Sequence, residues 1–501
     1  MREEAIKKIE EFKEHIGAIE AIAHLLALAD WDARVCMPKK GVDDRGQSMG
    51  YLATEIHKMS TDDKVKDFVE YFSKEEDLDE ITTAMVREVT KSYEETIKIP
   101  AQWQTEYTIL CSKAAVAWEE AKEKSDFEIF RPYLEKIKDM NLQYIDFIGY
   151  SDNKYNALLE NFEKGITVEK LDKIFGQLRD AIVELLNKIK NSNVEIKDDF
   201  LKCYVSKEQQ KELSNFVLGK MGFDYEAGRM DESVHPFTTN FGNKDVRITT
   251  HYYENDFADA MFSTIHEGGH ALYEQDIPDY LKNTGLNGAA SLGVHESQSR
   301  FNENIIGRSY SFCKYIYEYI KDKLPQLKDV SIEEFYKAIN KVSPSLIRVS
   351  ADELTYSLHI IIRYEIEKAL INGEIEVKDL PRVWNEKYKE YIGVEPKNDA
   401  EGVLQDTHWA NGTIGYFPSY ALGNIYGAQF LNTMLKEIPD IYDQVEQGNL
   451  EVVHKWLKEN IHIHGGIYTP ADLVKKVTGE ELNAKYFIEY LNKKYSQIYG
   501  F

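Results

Sequence analysis

Apolar residues recur every three or four positions along most of this chain, the spacing that places them on one face of an α-helix. The first clear case runs from Arg2 to Asp32. The same pattern predicts further helices at Glu80–Lys98, Ala101–Lys124, Asp126–Gly149, Val168–Lys190, Gln209–Met221, Phe257–Gln275, Val294–Leu324, Ile332–Lys341, Ala351–Ile371 and Ile441–Asn460. The 12 prolines fall mostly between these segments, where they separate one helix from the next.

Strand-like alternation is scarce and is confined to one region. The best candidate is Asp245–Tyr253, with Val234–Phe241 as its antiparallel partner and Gly242–Lys244 as the hairpin turn. No internal repeat or low-complexity linker interrupts the chain. The pattern therefore predicts a mostly α protein, a single domain over residues 1–501, with a small β-sheet just before the helix at residue 257.

Composition narrows the possible partners. The 501 residues are 43% hydrophobic and 12% aromatic, enough for a large core, and the formal net charge is −25. A surface that acidic repels phosphate backbones and anionic lipids, which argues against nucleic-acid and membrane partners. The four cysteines form no close pair, and the N-terminal segment is charged and lacks an apolar core typical of a secretory signal, so we expect a cytoplasmic protein.

The sequence HEGGH at His266–His270 matches H-E-x-x-H, the commonest short motif for a catalytic zinc helix. On a helix, residues i and i+4 project from one face, so both imidazoles can bind the same ion. Glu267 lies beside the first histidine, where its carboxylate can reach a water on the metal without binding the metal itself. Asp256 is the expected N-cap of this helix, and Phe257, Met261, Ile265 and Leu272 form its apolar stripe.

The tandem glycines Gly268 and Gly269 are unfavourable in a helix interior, by roughly 1 kcal/mol each relative to alanine. Their presence predicts that a substrate backbone or a neighbouring helix passes close to this face. A catalytic site also needs a third protein ligand and an open position for water. Glu296 is the nearest strong candidate and His295 competes with it; adjacent helix positions point about 100° apart, so only one of them can face the metal.

Several separate segments together resemble the M32 family of metallocarboxypeptidases over essentially the whole chain. The strongest are HPF (His235–Phe237), DVRIT (Asp245–Thr249), HEGGH (His266–His270), HESQSR (His295–Arg300) and GVLQDTHW (Gly402–Trp409), with further similarity at Trp31–Gln47 and Ile347–Tyr356. The resemblance implies a zincin-like, neurolysin-like helical fold with a deep groove, and a homodimer that removes C-terminal residues from short peptides. It also implies one divalent metal per chain, zinc or alternatively cobalt, with Glu296 rather than His295 as the third ligand.

The resemblance also indicates candidates for other roles. A tetrahedral intermediate carries an oxyanion, for which His235, His408 and Tyr356 are candidate donors. The free carboxylate of a peptide suits a bidentate guanidinium, which makes Arg348 and Arg247 the candidate receptors.

Structural roles compete with each of these assignments. A lone histidine or tyrosine is more often a core residue, and Tyr420, a further candidate for binding the carboxylate, is one of 32 tyrosines. Asp245 lies two residues from Arg247 and Asp352 lies four from Arg348, so either arginine could instead form a structural ion pair.

Two other functions fit parts of this pattern. An oligo-endopeptidase on the same type of helical fold would use identical metal chemistry and differ in its groove and carboxylate receptor. The other alternative is a non-catalytic helical protein with a structural metal. Glu267 argues against it, because a structural site needs no base beside an open coordination position. Phosphoesterase and deaminase chemistry are excluded by the lack of a phosphate loop or an H-x-E…C-x-x-C signature.

Overall fold

The computed structural model describes residues 2–501, which are mostly α-helical. In chain order the helices are α1 (Glu3–Val35), α2 (Val42–Ser60), α3 (Asp63–Phe72), α4 (Glu80–Lys98), α5 (Ala101–Lys124), α6 (Phe127–Ile148), α7 (Asn156–Leu159), α8 (Val168–Lys190), α9 (Lys207–Met221), α10 (Phe257–Asp276), α11 (Leu292–Arg300), α12 (Tyr310–Lys323), α13 (Ile332–Ile339), α14 (Glu353–Asn372), α15 (Leu380–Tyr391), α16 (Pro418–Glu437), α17 (Ile441–Glu446), α18 (Glu451–Asn460), α19 (Pro470–Thr478) and α20 (Lys485–Tyr499). The predicted helical class is confirmed, and α4, α5 and α8 have the predicted bounds.

Among residues 2–501 there is one sheet, which is small and lies directly before α10 in the chain. Its strands are β1 (Gly228–Glu232), β2 (Phe237–Asn240) and β3 (Val246–Thr250), in the order β1-β3-β2. β2 and β3 form the predicted antiparallel hairpin, with Phe237 opposite Thr249 and a turn at Gly242, whose φ of +108° favours glycine. β1 pairs with β3 in parallel and has no alternating pattern that would have predicted it.

Two predicted helices are wrong in extent. The segment from Val294 to Leu324 is α11, then a π-helical stretch at Phe301–Gly307, then α12, because Ser309 caps a new helix through Phe312 N. The segment from Ile441 to Asn460 is divided into α17 and α18, since Gly448 between them has a φ of +85° that no α-helix accommodates.

The described residues form two compact units. The first comprises residues up to Ile97, Lys197–Ile339 and Phe430–Glu481, and the second comprises Lys98–Ile196, Asn340–Gln429 and Leu482–Phe501. In the first unit α10 is surrounded by α9, α11, α18 and β3, so its side chains are buried on nearly every face. In the second unit α14 is similarly buried. A single domain over the whole chain stays a prediction.

Within residues 2–501, no helix is both long enough and apolar enough to cross a membrane.

Candidate active site

Helix α10 presents the HEGGH sequence from the middle of the first unit. Its apolar stripe of Phe257, Met261, Ile265 and Leu272 is buried as predicted. Asp256 occupies the N-cap position, but its side chain makes no capping bond and instead pairs with Lys202. Packing therefore holds this helix in place, and the predicted cap contributes nothing to it.

Three ligand atoms from α10 and α11 converge on one point. His266 Nε2 lies 3.6 Å and His270 Nε2 lies 3.4 Å from Glu296 Oε2. One donor atom from each of the three residues lies within 4.8 Å of the others. Zinc bonds of about 2.0–2.1 Å in a tetrahedron separate neighbouring ligand atoms by about 3.3–3.4 Å, so this donor set fits a divalent metal.

The protonation states of His270 and Glu296 also fit a metal. Burial lowers the pKa of His270 to about 3, which keeps its imidazole neutral at physiological pH. Burial alone would raise the pKa of Glu296, but the Arg300 guanidinium and His266 hold it well below its usual range. Neutral imidazole and ionised carboxylate are the forms that bind a metal ion.

A second layer of polar contacts orients these side chains. Arg300 Nε donates to Glu296 Oε1 at 2.7 Å, and the single proton of Ser299 Oγ is shared between Glu296 O at 2.6 Å and Glu296 Oε2 at 3.1 Å. His266 Nδ1 lies 2.9 Å from Glu303 Oε2, which Arg300 also contacts. A carboxylate on the far nitrogen of a histidine fixes the ring and its tautomer, leaving Nε2 as the ligand atom.

His295 points away from this cluster. Its Nε2 lies 2.9 Å from Glu274 Oε1, and its ring stacks on His270 with centroids 4.3 Å apart. The adjacent Glu296 instead places its carboxylate beside Nε2 of both histidines of α10. His295 therefore supports the His270 ring by contact.

Glu267 is buried beside the cluster, with only 7% of its surface exposed. Thr238 Oγ1, on β2, donates to Glu267 Oε2 at 2.5 Å and contacts the Glu267 backbone oxygen at 3.1 Å. Burial raises the pKa of the Glu267 carboxyl, while His266 and the Thr238 hydrogen bond partly oppose that rise. The hairpin thus holds one carboxylate oxygen in a fixed orientation.

The two glycines of the motif face two different neighbours. A Cβ on Gly269 would lie 2.5 Å from the backbone oxygen of Gln298 and 2.7 Å from Ser299 Cα. A Cβ on Gly268 would lie 2.8 Å from Leu218 Cδ2 and 3.0 Å from Met221 Cε. The predicted close approach is thus made by neighbouring helices, α11 at Gly269 and α9 at Gly268.

The remaining candidates of the first unit lie in and around the sheet. Arg247 on β3 forms a bidentate pair with Asp245, through Nε at 2.8 Å and Nη2 at 2.9 Å. Its guanidinium lies over Trp31 at 4.5 Å and Phe241 at 4.8 Å from the ring centroids. His235 is exposed in the loop between β1 and β2. The ion pair between Arg247 and Asp245 is the structural alternative that the sequence suggested.

Arg348 is buried in the second unit, 7% exposed, at the start of a short 3₁₀ turn. Its partner is Asp406, contacted by Nε at 3.2 Å and Nη2 at 2.9 Å, and Nη1 donates to the Tyr356 hydroxyl at 3.2 Å. Asp352, the partner that sequence spacing suggested, instead caps α14 by accepting from Thr355 N. Burial would raise the pKa of Asp406, but the Arg348 guanidinium holds it at about 2.

Tyr420 and His408 lie around this arginine. The Arg348 guanidinium is 4.9 Å from the Tyr420 ring centroid, and the Tyr420 hydroxyl is 3.3 Å from His408 Nε2. Burial lowers the pKa of His408 to about 3, so its ring is neutral. The structure therefore brings Arg348, Tyr356, His408 and Tyr420 together in the second unit, and His266, Glu267, His270 and Glu296 together in the first.

Four residues of these clusters do not follow from the sequence reasoning, namely Thr238, Arg300, Glu303 and Asp406. Arg300 and Glu303 had a usable signal, because they follow Glu296 at i+4 and i+7 on the same helical face. Thr238 directly follows the HPF segment and Asp406 lies within the GVLQDTHW segment, and neither had any further signal.

Comparison with known proteins gives a consistent picture. Residues 11–495 match the family described as carboxypeptidase Taq (M32) metallopeptidase. Carboxypeptidase 1 of Bacillus subtilis is 48% identical over 492 residues, covering 97% of this chain and 98% of the relative. The crystal structure of an M32 carboxypeptidase from Deinococcus radiodurans R1 superimposes with a TM-score of 0.96 at 35% identity, covering 99% and 100% of the two chains. A Pyrococcus furiosus carboxypeptidase gives a TM-score of 0.95 at 37% identity, covering 99% of each chain.

The fold and the sequence matches place this protein among the metallocarboxypeptidases, hydrolases that act on peptides. The chain belongs to the M32 family. Membership in a metallopeptidase family implies a divalent metal, for which the cluster on α10 and α11 offers the donor set. It also favours carboxypeptidase activity over the endopeptidase and binding-protein alternatives.

Proposed function

We propose that this carboxypeptidase holds one divalent metal at His266, His270 and Glu296 and uses Glu267 as its general base. The observation that carries the proposal is the separation of the three donor atoms, 3.4 and 3.6 Å between each histidine and Glu296, next to the buried carboxylate of Glu267. A metal held by these residues would lower the pKa of a water molecule and polarise the scissile carbonyl.

Glu267 takes the proton of the attacking water and passes it to the leaving amine. Burial favours this role, because a raised pKa makes a carboxylate a stronger base near neutral pH. The hydrogen bond from Thr238 occupies Oε2, which leaves Oε1 as the atom that exchanges the proton. His235, His408 and Tyr356 remain the proposed donors to the oxyanion of the tetrahedral intermediate.

The proposed substrates are short peptides with a free C-terminal carboxylate, and Arg348 is the leading receptor for it. Asp406 fixes one edge of the guanidinium, while Nη1 faces the Tyr356 hydroxyl and offers a hydrogen-bonding edge. Arg247 is the second candidate, and its Nε and Nη2 bind Asp245 as those of Arg348 bind Asp406. Tyr420, beside Arg348, is the proposed hydroxyl donor to the same carboxylate.

We also propose zinc as the metal, with cobalt as the alternative, and a cytoplasmic homodimer. The four cysteines are all free, which suits a reducing compartment. The dimer follows from the family resemblance, and light scattering tests it directly. A particle of 58.0 kDa, the mass of one chain, across a wide concentration range would contradict it.

The metal assignment separates two kinds of variant. We expect His266→Ala, His270→Ala and Glu296→Ala to lower metal occupancy, because each removes a ligand atom. Glu267→Gln should keep the metal and lose turnover, because an amide cannot accept the proton from water. Metal content is measured by mass spectrometry on the purified proteins beside hydrolysis rates. Full metal content and activity in Glu296→Ala would show that the third ligand lies elsewhere.

The carboxylate receptor is tested on one short peptide with a free or an amidated C-terminus. A charge-assisted hydrogen bond contributes roughly 1.5–3 kcal/mol, so Arg348→Ala should lower kcat/KM on the free peptide by about 10- to 150-fold. The effect on the amidated peptide should be far smaller, because the carboxylate is already absent.

Arg247→Ala is the matched control, since it removes a paired arginine from the first unit. If Arg348→Ala leaves the free peptide unaffected while Arg247→Ala slows it, the receptor is Arg247. Equal cleavage of both peptides at internal bonds by the wild type would contradict the carboxypeptidase mechanism.

A further inference from the structure

Asp276, the last residue of α10, gathers donors from three residues near α18. His454 Nε2 and His462 Nδ1 lie 2.7 and 2.8 Å from its Oδ2, and Lys458 Nζ lies 2.7 Å from its Oδ1. These separations are hydrogen-bond lengths, shorter than the spacing of about 3.3 Å between ligand atoms that share one zinc. Although Asp276, His454 and His462 have donor atoms close together, the geometry therefore indicates a hydrogen-bonded hub and not a second metal site.

The other side of His462 reaches α11. Its Nε2 lies 2.9 Å from Oε1 of Gln298, a side chain with no exposed surface. The orientation of that amide is fixed, because Gln298 Nε2 lies 2.9 Å from Ser297 Oγ and Ser297 Oγ donates its single proton to Val294 O at 2.6 Å. The amide therefore donates to Ser297, and its oxygen is the atom that faces His462 Nε2.

The His462 ring is thus fixed at both ends, to the carboxylate of Asp276 on α10 and to the amide of Gln298 on α11. It is 1% exposed and stacks on Tyr273 of α10 with ring centroids 4.9 Å apart. A ring held between two helices in this way resists rotation of one helix against the other.

That rotation matters because the proposed ligands lie on both sides of the helix crossing. Gly269 on α10 lies against the backbone of Gln298 on α11, whose oxygen would be 2.5 Å from an added Cβ. His270 is adjacent to Gly269, and Glu296 lies two positions before Gln298. Because Gly269 has no side chain, α11 could rotate slightly about its axis without a steric barrier at this position. Such a rotation would carry Glu296 away from the two histidines.

We propose that His462 is a positioning residue that sets the rotation of α11 on α10, through Asp276 and Gln298, and so holds Glu296 at the metal. The inference rests on the proposed function of Glu296 as the third ligand. The hydrogen bonds of His462 go to Asp276 and Gln298 and not to the proposed ligands, so its effect on Glu296 passes through Gln298.

The test measures metal affinity and not only activity. The variants are His462→Phe, which keeps the stack on Tyr273, Gln298→Leu, and the double variant. His462→Asn is a milder change, because an amide near the Nδ1 position retains Asp276 and loses only Gln298. His454→Phe is the matched control, since it removes one donor from Asp276 without touching α11.

Zinc dissociation constants are measured by competition with a chelator, and the visible spectrum of the cobalt-loaded protein reports the ligand geometry. Loss of a hydrogen bond to a metal-ligating side chain weakens metal binding by about 10- to 100-fold. Gln298 and His462 do not contact the ligands directly, so we expect the smaller effect, about tenfold weaker zinc binding, in both His462 variants and in Gln298→Leu. The cobalt spectrum should shift in all three. The double variant should be no weaker than either single variant, because both remove the same link. His454→Phe should remain within about twofold of the wild type.

Normal zinc affinity and an unchanged cobalt spectrum in the His462 and Gln298 variants would overturn the proposal, even if those variants were less stable. Additive losses in the double variant would also overturn it. Glu296→Ala, measured beside them, separates this failure from failure of the proposed function. If Glu296→Ala binds zinc normally, the ligand assignment is wrong; if it loses zinc while the His462 variants do not, only the positioning role is wrong.

Discussion

Replacing Gly269 by alanine tests whether the crossing of α10 and α11 depends on a missing side chain. The added Cβ would lie 2.5 Å from Gln298 O and 2.7 Å from Ser299 Cα, both backbone atoms of α11. Backbone can yield only if the whole helix moves. Gly268→Ala is the matched control, because its Cβ would meet the ends of flexible side chains, Leu218 Cδ2 at 2.8 Å and Met221 Cε at 3.0 Å.

The two substitutions share the same favourable term and differ in the unfavourable one. Replacing glycine by alanine inside a helix stabilises it by about 1 kcal/mol in either case. Overpacking a close contact costs about 1–3 kcal/mol, with the upper end expected where no side chain can rotate away. Gly269→Ala should therefore be destabilised by about 2 kcal/mol, whereas Gly268→Ala should lie within about 1 kcal/mol of the wild type.

Urea denaturation of the two variants and the wild type measures this difference, and chelator competition measures zinc affinity on the same samples. Because α11 carries Glu296, we expect Gly269→Ala to bind zinc more weakly than Gly268→Ala. Equal stability and equal zinc affinity in the two variants would contradict this prediction, because they would show that the backbone of α11 does not pack closely against Gly269.

Three further changes probe the groups around the site. Glu303→Gln removes the charged partner of His266 Nδ1, so chelator competition should show zinc binding weaker by about 10-fold or more. Unchanged zinc binding would mean that Glu303 serves only as a partner of Arg308. Thr238→Val removes a hydrogen bond that favours ionised Glu267, so the pKa of that carboxyl should rise further, and the acid limb of kcat/KM against pH should move to higher pH. Burial would raise the pKa of Asp276, but hydrogen bonds from His454 and His462 hold that pKa far below its usual value. The ionised carboxylate therefore stabilises the fold above the unfolded-state pKa of about 3.9, and this stabilisation is lost as the pH falls further. The stability gap between wild type and Asp276→Asn, measured by urea denaturation, should thus be widest near neutral pH and narrow below about pH 4; a constant gap would contradict this.

The helices were predictable where a periodic pattern ends at a local stop signal. α5 begins after Pro100 and ends at Lys124, just before Ser125 with its φ of +54°, and the pattern located both ends. The segment after Val294 was not predictable as three elements, because its apolar spacing continues through the π-helical stretch and only the Ser309 cap separates α12. β1 pairs with β3, which follows it in the chain after β2. This non-local pairing produces no alternating pattern in the β1 sequence, Gly228–Glu232.

The site residues were likewise predictable only where short-range spacing along a helix connects them. His266, Glu267 and His270 follow from spacing on one helix, and Arg300 and Glu303 could have been found by extending that logic from Glu296. The partners of Arg348 and Asp276 could not, because Asp406 and His462 lie 58 and 186 residues away in the chain. Only the packed structure brings such pairs together, which is why spacing suggested Asp352 for Arg348 and had no role for His462.

The most direct test of the metal centre is anomalous diffraction at the zinc edge from crystals grown with one equivalent of zinc. We expect a single strong peak with His266 Nε2 and His270 Nε2 at about 2.0–2.1 Å and one Glu296 oxygen at about 2.0–2.2 Å. The same map should hold Glu267 outside bonding distance, and it should be empty between Asp276, His454 and His462. A peak bound by His295 in place of Glu296, or a strong peak at the Asp276 hub, would contradict this expectation.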